Sequence, residues 1–282
     1  MNHSPQIIHG LREIAPHYDA LICDVWGVLH DGTTAHRDAC AALRTFRDTC
    51  GPVVLLTNAP RPVSDVEELF VKKYDVPLDC YDAIVTSGVA TREDLEARTK
   101  SARLKMLHLG PERDRGIFEG LDIQTTDVEH SDIVLCSGLY DDDTESPADY
   151  VDLLDRMKAR ALTMICANPD RVVQRDGRLI YCAGALASEY EKIGGDVIYY
   201  GKPRTAIYNN VRAALKGAKN PLAIGDGMYT DIKGANAAGI DALFIADGIH
   251  GEDVAEMTPQ HLGKLFADAG VHARAAMRAL VW

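Results

Sequence analysis

The stretch LICDVWGVLHDG, residues 21–32, sets a lone aspartate at the end of an apolar run and a tryptophan two residues beyond it. A short run of continuous apolar residues suits a strand buried on both faces, as in a parallel sheet covered by helices. Four further runs have this form: PVVLLTN (52–58), AIVTS (83–87), PLAIGD (221–226) and ALFIAD (242–247). With ALICDV (20–25) they make five candidate strands. Helical patterns lie between them. SDVE (64–67) has the form of a capping box ahead of Leu69, Phe70 and Tyr74. Pro203 suits the first turn of a helix through Ile207, Val211 and Leu215, with Gly217 ending it. The alternation predicts a doubly wound α/β core with right-handed crossovers.

The middle of the chain carries material of its own. KMLHLG (105–110), DIVLCSG (132–138) and LTMICAN (162–168) read as strands. A helix is expected from Ser146-Pro147, with Tyr150, Val151, Leu154 and Met157 on one face, and Asp176-Gly177 between apolar arms signals a hairpin. Residues 88–195 are therefore expected to form a smaller α/β domain inserted into a core made of 1–87 and 196–282. EKIGGDVIYYGKP (191–203) reads as the return to that core.

Composition narrows the function. The 282 residues carry a formal charge of -12, which disfavours nucleic-acid and anionic membrane surfaces and requires a local positive site for any anionic small substrate. Seven cysteines without a CxxC pair read as reduced, buried thiols in a cytoplasmic protein. No apolar run reaches membrane-spanning length, and the first twenty residues lack the pattern of a signal peptide. YDDDTES (140–146) reads as a solvated acidic loop, because it lacks the glycine and distal glutamate of a calcium loop.

In an open parallel sheet, ligands bind beyond the carboxyl ends of the strands. The polar residues expected there are Asp24, Thr57, Asn58 and Asp226, with Asp231 five residues further on and Lys202 at the end of the return strand. Taken singly, Asp226 and Asp231 would also serve as a turn and a helix cap, and Thr57-Asn58 as a strand-end turn. Together they fit phosphoryl chemistry. A carboxylate can attack phosphorus and split one hard step into two. Mg2+ takes oxygen ligands, usually one or two carboxylates from protein. Asp24 and Asp226 would supply them, with Asp231 orienting a metal-bound water or Lys202. Lys202 and the Thr57 hydroxyl would neutralise charge on the phosphoryl oxygens, and Gly225 and Gly227 would let the backbone come close.

Four fragments, in order, resemble the motifs of the haloacid-dehalogenase-like hydrolase superfamily: DVWGV (24–28), LLTN (55–58), GKP (201–203) and GDGMYTD (225–231). The insertion between the second and third resembles the class IIA cap of NagD-like sugar-phosphate and nucleotide phosphatases, with NPD (168–170) and GAL (184–186) as pieces of it. The resemblance implies a Rossmann-like core with an inserted cap. It makes Asp24 the nucleophile and assigns the metal to Asp24, the backbone carbonyl of Trp26, and Asp226. Asn168 and Asp170 become candidate substrate contacts of the cap. It also implies a small phosphorylated substrate, and assembly into a homo-oligomer is compatible with it.

Trp26 departs from that pattern. Phosphatases of the superfamily carry a second aspartate there, which protonates the leaving alcohol and then activates water. An indole is a non-titrating donor only. Positioned acid–base help is worth about 10²–10⁴ in rate. Binding and phosphoryl capture are thus expected to persist while turnover suffers, unless another group substitutes. His30 is the candidate stand-in, on a pKa suited to neutral pH; the alternative is a histidine without a chemical role. Two competing readings are a dehalogenase-like hydrolase, which also carries an aromatic at this position and needs no metal, and a catalytically impaired protein that only binds a phosphate ligand.

Overall fold

Strands form at all five apolar runs: Ala20–Cys23, Val53–Thr57, Ala83–Thr86, Pro221–Gly225 and Asp241–Ile245. The computed structural model describes residues 4–175, 177–251, 254 and 256–282. In it these strands pair in parallel. Two short strands without an apolar run, Gln6–Ile7 and Ala275–Met277, extend one edge. Every residue of Ala20–Cys23 and of Val53–Thr57 is buried, as a sheet covered on both faces requires. Leu21, Cys23, Val53 and Leu55 pack on one face with Leu43 and Phe46. Ile22, Val54 and Leu56 pack on the other with Tyr208 and Phe244. Each such side chain contributes about 1.5–3 kcal/mol by leaving water.

Ala20–Cys23 lies inside the sheet, between Pro221–Gly225 and Val53–Thr57. The chain leaves Ala20–Cys23 toward one edge and Pro221–Gly225 toward the other. Their carboxyl ends therefore part into a crevice, the place where such sheets bind ligands. Asp24 and Asp226 are the residues that directly follow the two strands.

Residues between these halves build a second sheet. Val197–Tyr199, Thr163–Cys166, Ile133–Cys136, Leu104–Leu109 and Ile123–Thr125 follow one another across it, all parallel. Tyr150, Leu154, Met157, Leu186 and Tyr190 cover one face. Val172–Arg175 and Arg178–Tyr181 form a separate antiparallel pair. Gly177, at φ +72°, occupies the turn, while Asp176 of the expected hairpin lies outside the described residues.

Several local expectations are corrected. Val197–Tyr199 pairs with Thr163–Cys166, so the return to the core falls after Tyr199 and not at 195/196. The first crossing runs within the helix Ser87–Thr99, whose Leu95 packs with the second sheet. SDVE forms no capping box. The helix starts at Val63 behind Pro62, and the Ser64 hydroxyl donates to Asp65 instead. Pro203 stands ahead of its helix, which begins at Ile207. Val151 is 54% exposed and not on the buried face: a 3-10 turn runs over Pro147–Tyr150 and the α-helix starts only at Val151. Cys50 is exposed, the other six cysteines being buried. Among the described residues, no helix is long and apolar enough to cross a membrane.

Candidate active site

Lys202 is the centre of the charged cluster. Its Nζ donates to Asp24 Oδ1 at 2.6 Å and to Asp231 Oδ1 at 2.7 Å, and the residue is 2% exposed overall. A buried ammonium requires such partners. Burial alone would push its pKa down; the two carboxylates hold it well above its ordinary value instead. Lys202 lies behind Asp24 and Asp231 and does not line the cavity they face. The ammonium thus fixes two carboxylates at the edge of that cavity.

Asp24 Oδ1 also accepts from the backbone N–H of Val25 at 2.7 Å. Both donors fall on Oδ1, so Oδ2 is the oxygen without a protein donor among the described residues. Burial, then the charge of Asp231, raises the Asp24 carboxyl well above its usual range. Asp226 Oδ2 accepts from Ile249 N–H at 2.7 Å. Burial and the neighbouring Asp231 push its pKa up to about 7. Asp231 has both oxygens occupied, Oδ1 by Lys202 and Oδ2 by the Gly227 N–H at 3.1 Å.

Glycines make room for these side chains. A Cβ on Gly27 would sit 2.1 Å from Asp226 Oδ2, and one on Gly248 2.0 Å from it. A Cβ on Gly225 would lie 2.2 Å from Asp231 Cγ. Gly225 therefore admits the Asp231 side chain, while Gly227 makes room for Thr230 and also lines the cavity. Gly248 and Ile249 carry no sequence signal beyond following the strand Asp241–Ile245, and were missed.

Oxygens of Asp24, Asp226 and Asp231 all lie within 4.8 Å of one another. Three carboxylates face one ammonium, so the buried cluster is short of positive charge. An all-oxygen donor set of this kind fits a hard divalent cation such as Mg2+. The other close acidic group, Asp141, Asp142 and Asp143, is different. Asp142 pairs with Arg113 at 2.5 Å and Asp143 with Arg175 at 2.5 Å, so the acidic run is tied down by arginines and is not simply solvated.

Thr57 and Asn58 end the neighbouring strand. Thr57 Oγ1 accepts from Ala59 N–H at 3.1 Å. Asn58 Oδ1 accepts from the Lys202 backbone N–H at 2.7 Å, while its Nδ2 donates to Asp170 Oδ1 at 2.9 Å. Asn58 thus holds the lysine segment and reaches the second sheet. Asn168 Oδ1 accepts from the Asp170 N–H at 3.1 Å, so it shapes the turn that carries Asp170.

Trp26 also reaches across. Its Nε1 donates to the Gln174 carbonyl at 2.8 Å, on the antiparallel pair. A Cβ on Gly32 would lie 2.5 Å from the indole, and Gly32 has φ +91°. The ring meets His30 edge-on, centroids 5.1 Å apart, and His30 stacks on Tyr74 at 4.2 Å.

His30 is not brought to the carboxylates. It is 2% exposed, its Nδ1 accepts from the Gly32 N–H at 3.0 Å, and burial drives its pKa down to about 4. A neutral ring packed among aromatics corrects the reading of His30 as an acid–base group. Two cavities meet beside it. The first faces Asp24, Asp226 and Asp231. The second, of about 300 Å³, has Phe70 and Tyr74 on one wall and Arg113, Asp142 and Arg175 on the other.

Comparison with known proteins places this geometry. Residues 21–124 match the family described as haloacid dehalogenase-like hydrolase, and residues 199–269 a second, HAD-hydrolase-like family. The crystal structure of a haloacid dehalogenase-like hydrolase from Brucella suis 1330 superposes with a TM-score of 0.85. It is 38% identical and covers 98% of this chain and 100% of that one. The ribonucleotide monophosphatase NagD of Escherichia coli (strain K12) is 27% identical over 246 residues, 85% of this chain and 92% of its own. The 5'-nucleotidase YutF of Bacillus subtilis (strain 168) is 26% identical over 238 residues, 82% of this chain and 88% of its own.

Proposed function

This chain belongs to the haloacid dehalogenase-like hydrolases, and from that premise we propose that it hydrolyses small phosphate monoesters through an aspartyl phosphate on Asp24. The observation that carries the reading is the Lys202 ammonium shared between Asp24 and Asp231, with Asp226 in the same buried oxygen cluster. A nucleophilic carboxylate must be held in place; Lys202 and Val25 hold Oδ1 and leave Oδ2 to attack. Thr57 and Asn58, on the wall of both cavities, would receive the phosphoryl group. Asp24, Asp226 and the backbone carbonyl of Trp26 would hold Mg2+, with Asp231 behind them. When bound, the ion supplies neutralisation of charge on the phosphoryl oxygens. The two curated relatives are named as nucleotide phosphatases, which supports the same chemistry here. The segment of the second sheet serves as the cap over the site.

A panel of phosphorylated metabolites, assayed with Mg2+ and with chelator, tests this. Phosphate release should require the metal, and Asp24→Asn should abolish it while leaving the circular dichroism spectrum unchanged. Full activity in chelator would move the reading toward carbon–halogen hydrolysis. Binding of phosphate esters without any trapped phosphoenzyme would reduce the protein to a binding module.

A further inference from the structure

We infer that Asp170, presented by the cap, is the catalytic acid and base of the reaction, in the role that Trp26 cannot fill. The inference rests on the phosphatase reading and adds a residue to it. A monoester whose phosphorus lies at Asp24 and whose leaving group occupies the aromatic-walled cavity must pass its ester oxygen through the junction of the two cavities. Five described residues line both cavities: Trp26, Thr57, Asn58, Asp170 and Val173. Of these, Asp170 alone carries a group that exchanges a proton near neutral pH.

The carboxylate is held there by a built scaffold. Asn58 Nδ2 donates to Oδ1 at 2.9 Å, which fixes the side chain and leaves Oδ2 for a ligand. The Asp170 N–H is bound by Asn168 Oδ1 at 3.1 Å, and its carbonyl accepts from the Gly184 N–H at 3.1 Å. Gly184 opens the following helix, Ala183–Lys192. A Cβ there would lie 2.2 Å from the Pro169 carbonyl, so only glycine lets that helix seat the turn. A Cβ on Gly201 would likewise lie 2.5 Å from Asn58 Oδ1 and 3.0 Å from Pro169. Burial raises the Asp170 carboxyl above its ordinary value, against the pull of Lys202 and Asn58, which suits a group that must deliver a proton.

Asp24 Oδ2 attacks phosphorus and the ester P–O bond breaks, its electron pair passing to the leaving oxygen. That oxygen takes the proton of Asp170 and departs as the alcohol. Water then attacks the phosphorus of the aspartyl phosphate while Asp170, now a carboxylate, takes one of its protons. The P–O bond to Asp24 breaks, Asp24 regains its electron pair, and Asp170 ends protonated as it began.

The test uses Asp170→Asn, which keeps an acceptor for Asn58 but moves no proton, with 4-nitrophenyl phosphate and glycerol phosphate as probes. A nitrophenolate leaving group needs little protonation; an alkoxide needs it fully. Turnover of glycerol phosphate should fall by about 10²–10⁴-fold. The first-turnover burst of nitrophenolate should persist within an order of magnitude of wild type. The phosphoenzyme should then accumulate, because water activation is lost too. Adding Trp26→Asp to this variant should restore part of the glycerol phosphate activity. Equal losses on both probes, loss of the burst, or no loss on either would overturn the assignment of Asp170. Wild-type protein that releases phosphate from neither probe nor from any monoester would instead overturn the phosphatase reading itself, and this assignment with it.

Discussion

The indole of Trp26 donates to the backbone carbonyl of Gln174 at 2.8 Å, so the residue next but one to Asp24 is tied to the cap. The large indole that follows Asp24 thus bridges the core and the antiparallel pair Val172–Arg175 and Arg178–Tyr181. Asn58 with Asp170, and Arg61 with buried Asp114 at 3.0 Å, join the same two bodies.

Trp26→Phe removes the donor and keeps a ring. One such hydrogen bond contributes about 0.5–1.5 kcal/mol, so the open fraction of the cap should rise severalfold. Hydrogen exchange over Val172–Arg175 should quicken accordingly, with the core strands unchanged. Identical exchange in the two proteins would mean that the bond does not hold the cap.

Lys202→Met leaves Asp24, Asp226 and Asp231 buried with no ammonium among them. Removing one partner from such a group costs about 3–5 kcal/mol. The urea midpoint should drop to match, and adding Asp231→Asn should recover part of the loss. A variant as stable as wild type would show that Lys202 is not what neutralises the cluster.

Gly32→Ala puts a Cβ at 2.5 Å from the Trp26 ring and strains a backbone at φ +91°. Overpacking of this kind costs about 1–3 kcal/mol. In the double variant with Trp26→Phe, the smaller ring should relieve the clash and leave only the backbone strain. Strict additivity of the two losses, measured by denaturant titration, would show that the side chains do not compete for space.

His30 gives a pH prediction with a defined sign. Its folded pKa is pushed down to about 4, below the unfolded value of 6.5. Its contribution is therefore present above pH 6.5 and is lost as pH falls toward 4. By linkage that is about 3 kcal/mol. Unfolding free energy measured at pH 7 and pH 4.5 should converge less in wild type than in a protein without this burden: His30→Phe should show the shallower fall. His108, also pushed to about 4 by burial, keeps part of the slope in both proteins. Equal slopes would show that His30 is not protonated only at the expense of its packing.

Much of the core is legible in the sequence itself. Apolar runs mark the strands because both faces of a parallel sheet are covered, and Asp24, Asp226, Thr57 and Asn58 stand out as polar residues where those runs stop. Other features depend on tertiary contact that a linear pattern does not carry. Gln6–Ile7 and Ala275–Met277 are edge strands too short for periodicity. Val197–Tyr199 has the texture of a core strand but pairs with the cap. Lys202 reads as an isolated lysine until its two ion pairs, to Asp24 and Asp231, are seen. The partner of Trp26 is a backbone carbonyl, which no side-chain pattern announces.

The order of strands across the core sheet has a consequence for how the protein is made. Ala20–Cys23 emerges early in synthesis, yet one of its two neighbours, Pro221–Gly225, emerges some two hundred residues later. All five strands of the cap sheet, Leu104 through Tyr199, are complete before that point. On the ribosome the cap can thus close its own sheet while the strand bearing Asp24 still has an open side. Asp24 acquires Lys202, Asp226 and Asp231 only when the last third of the chain arrives, so a chain truncated before Pro221 would hold a finished lid above an unfinished cluster.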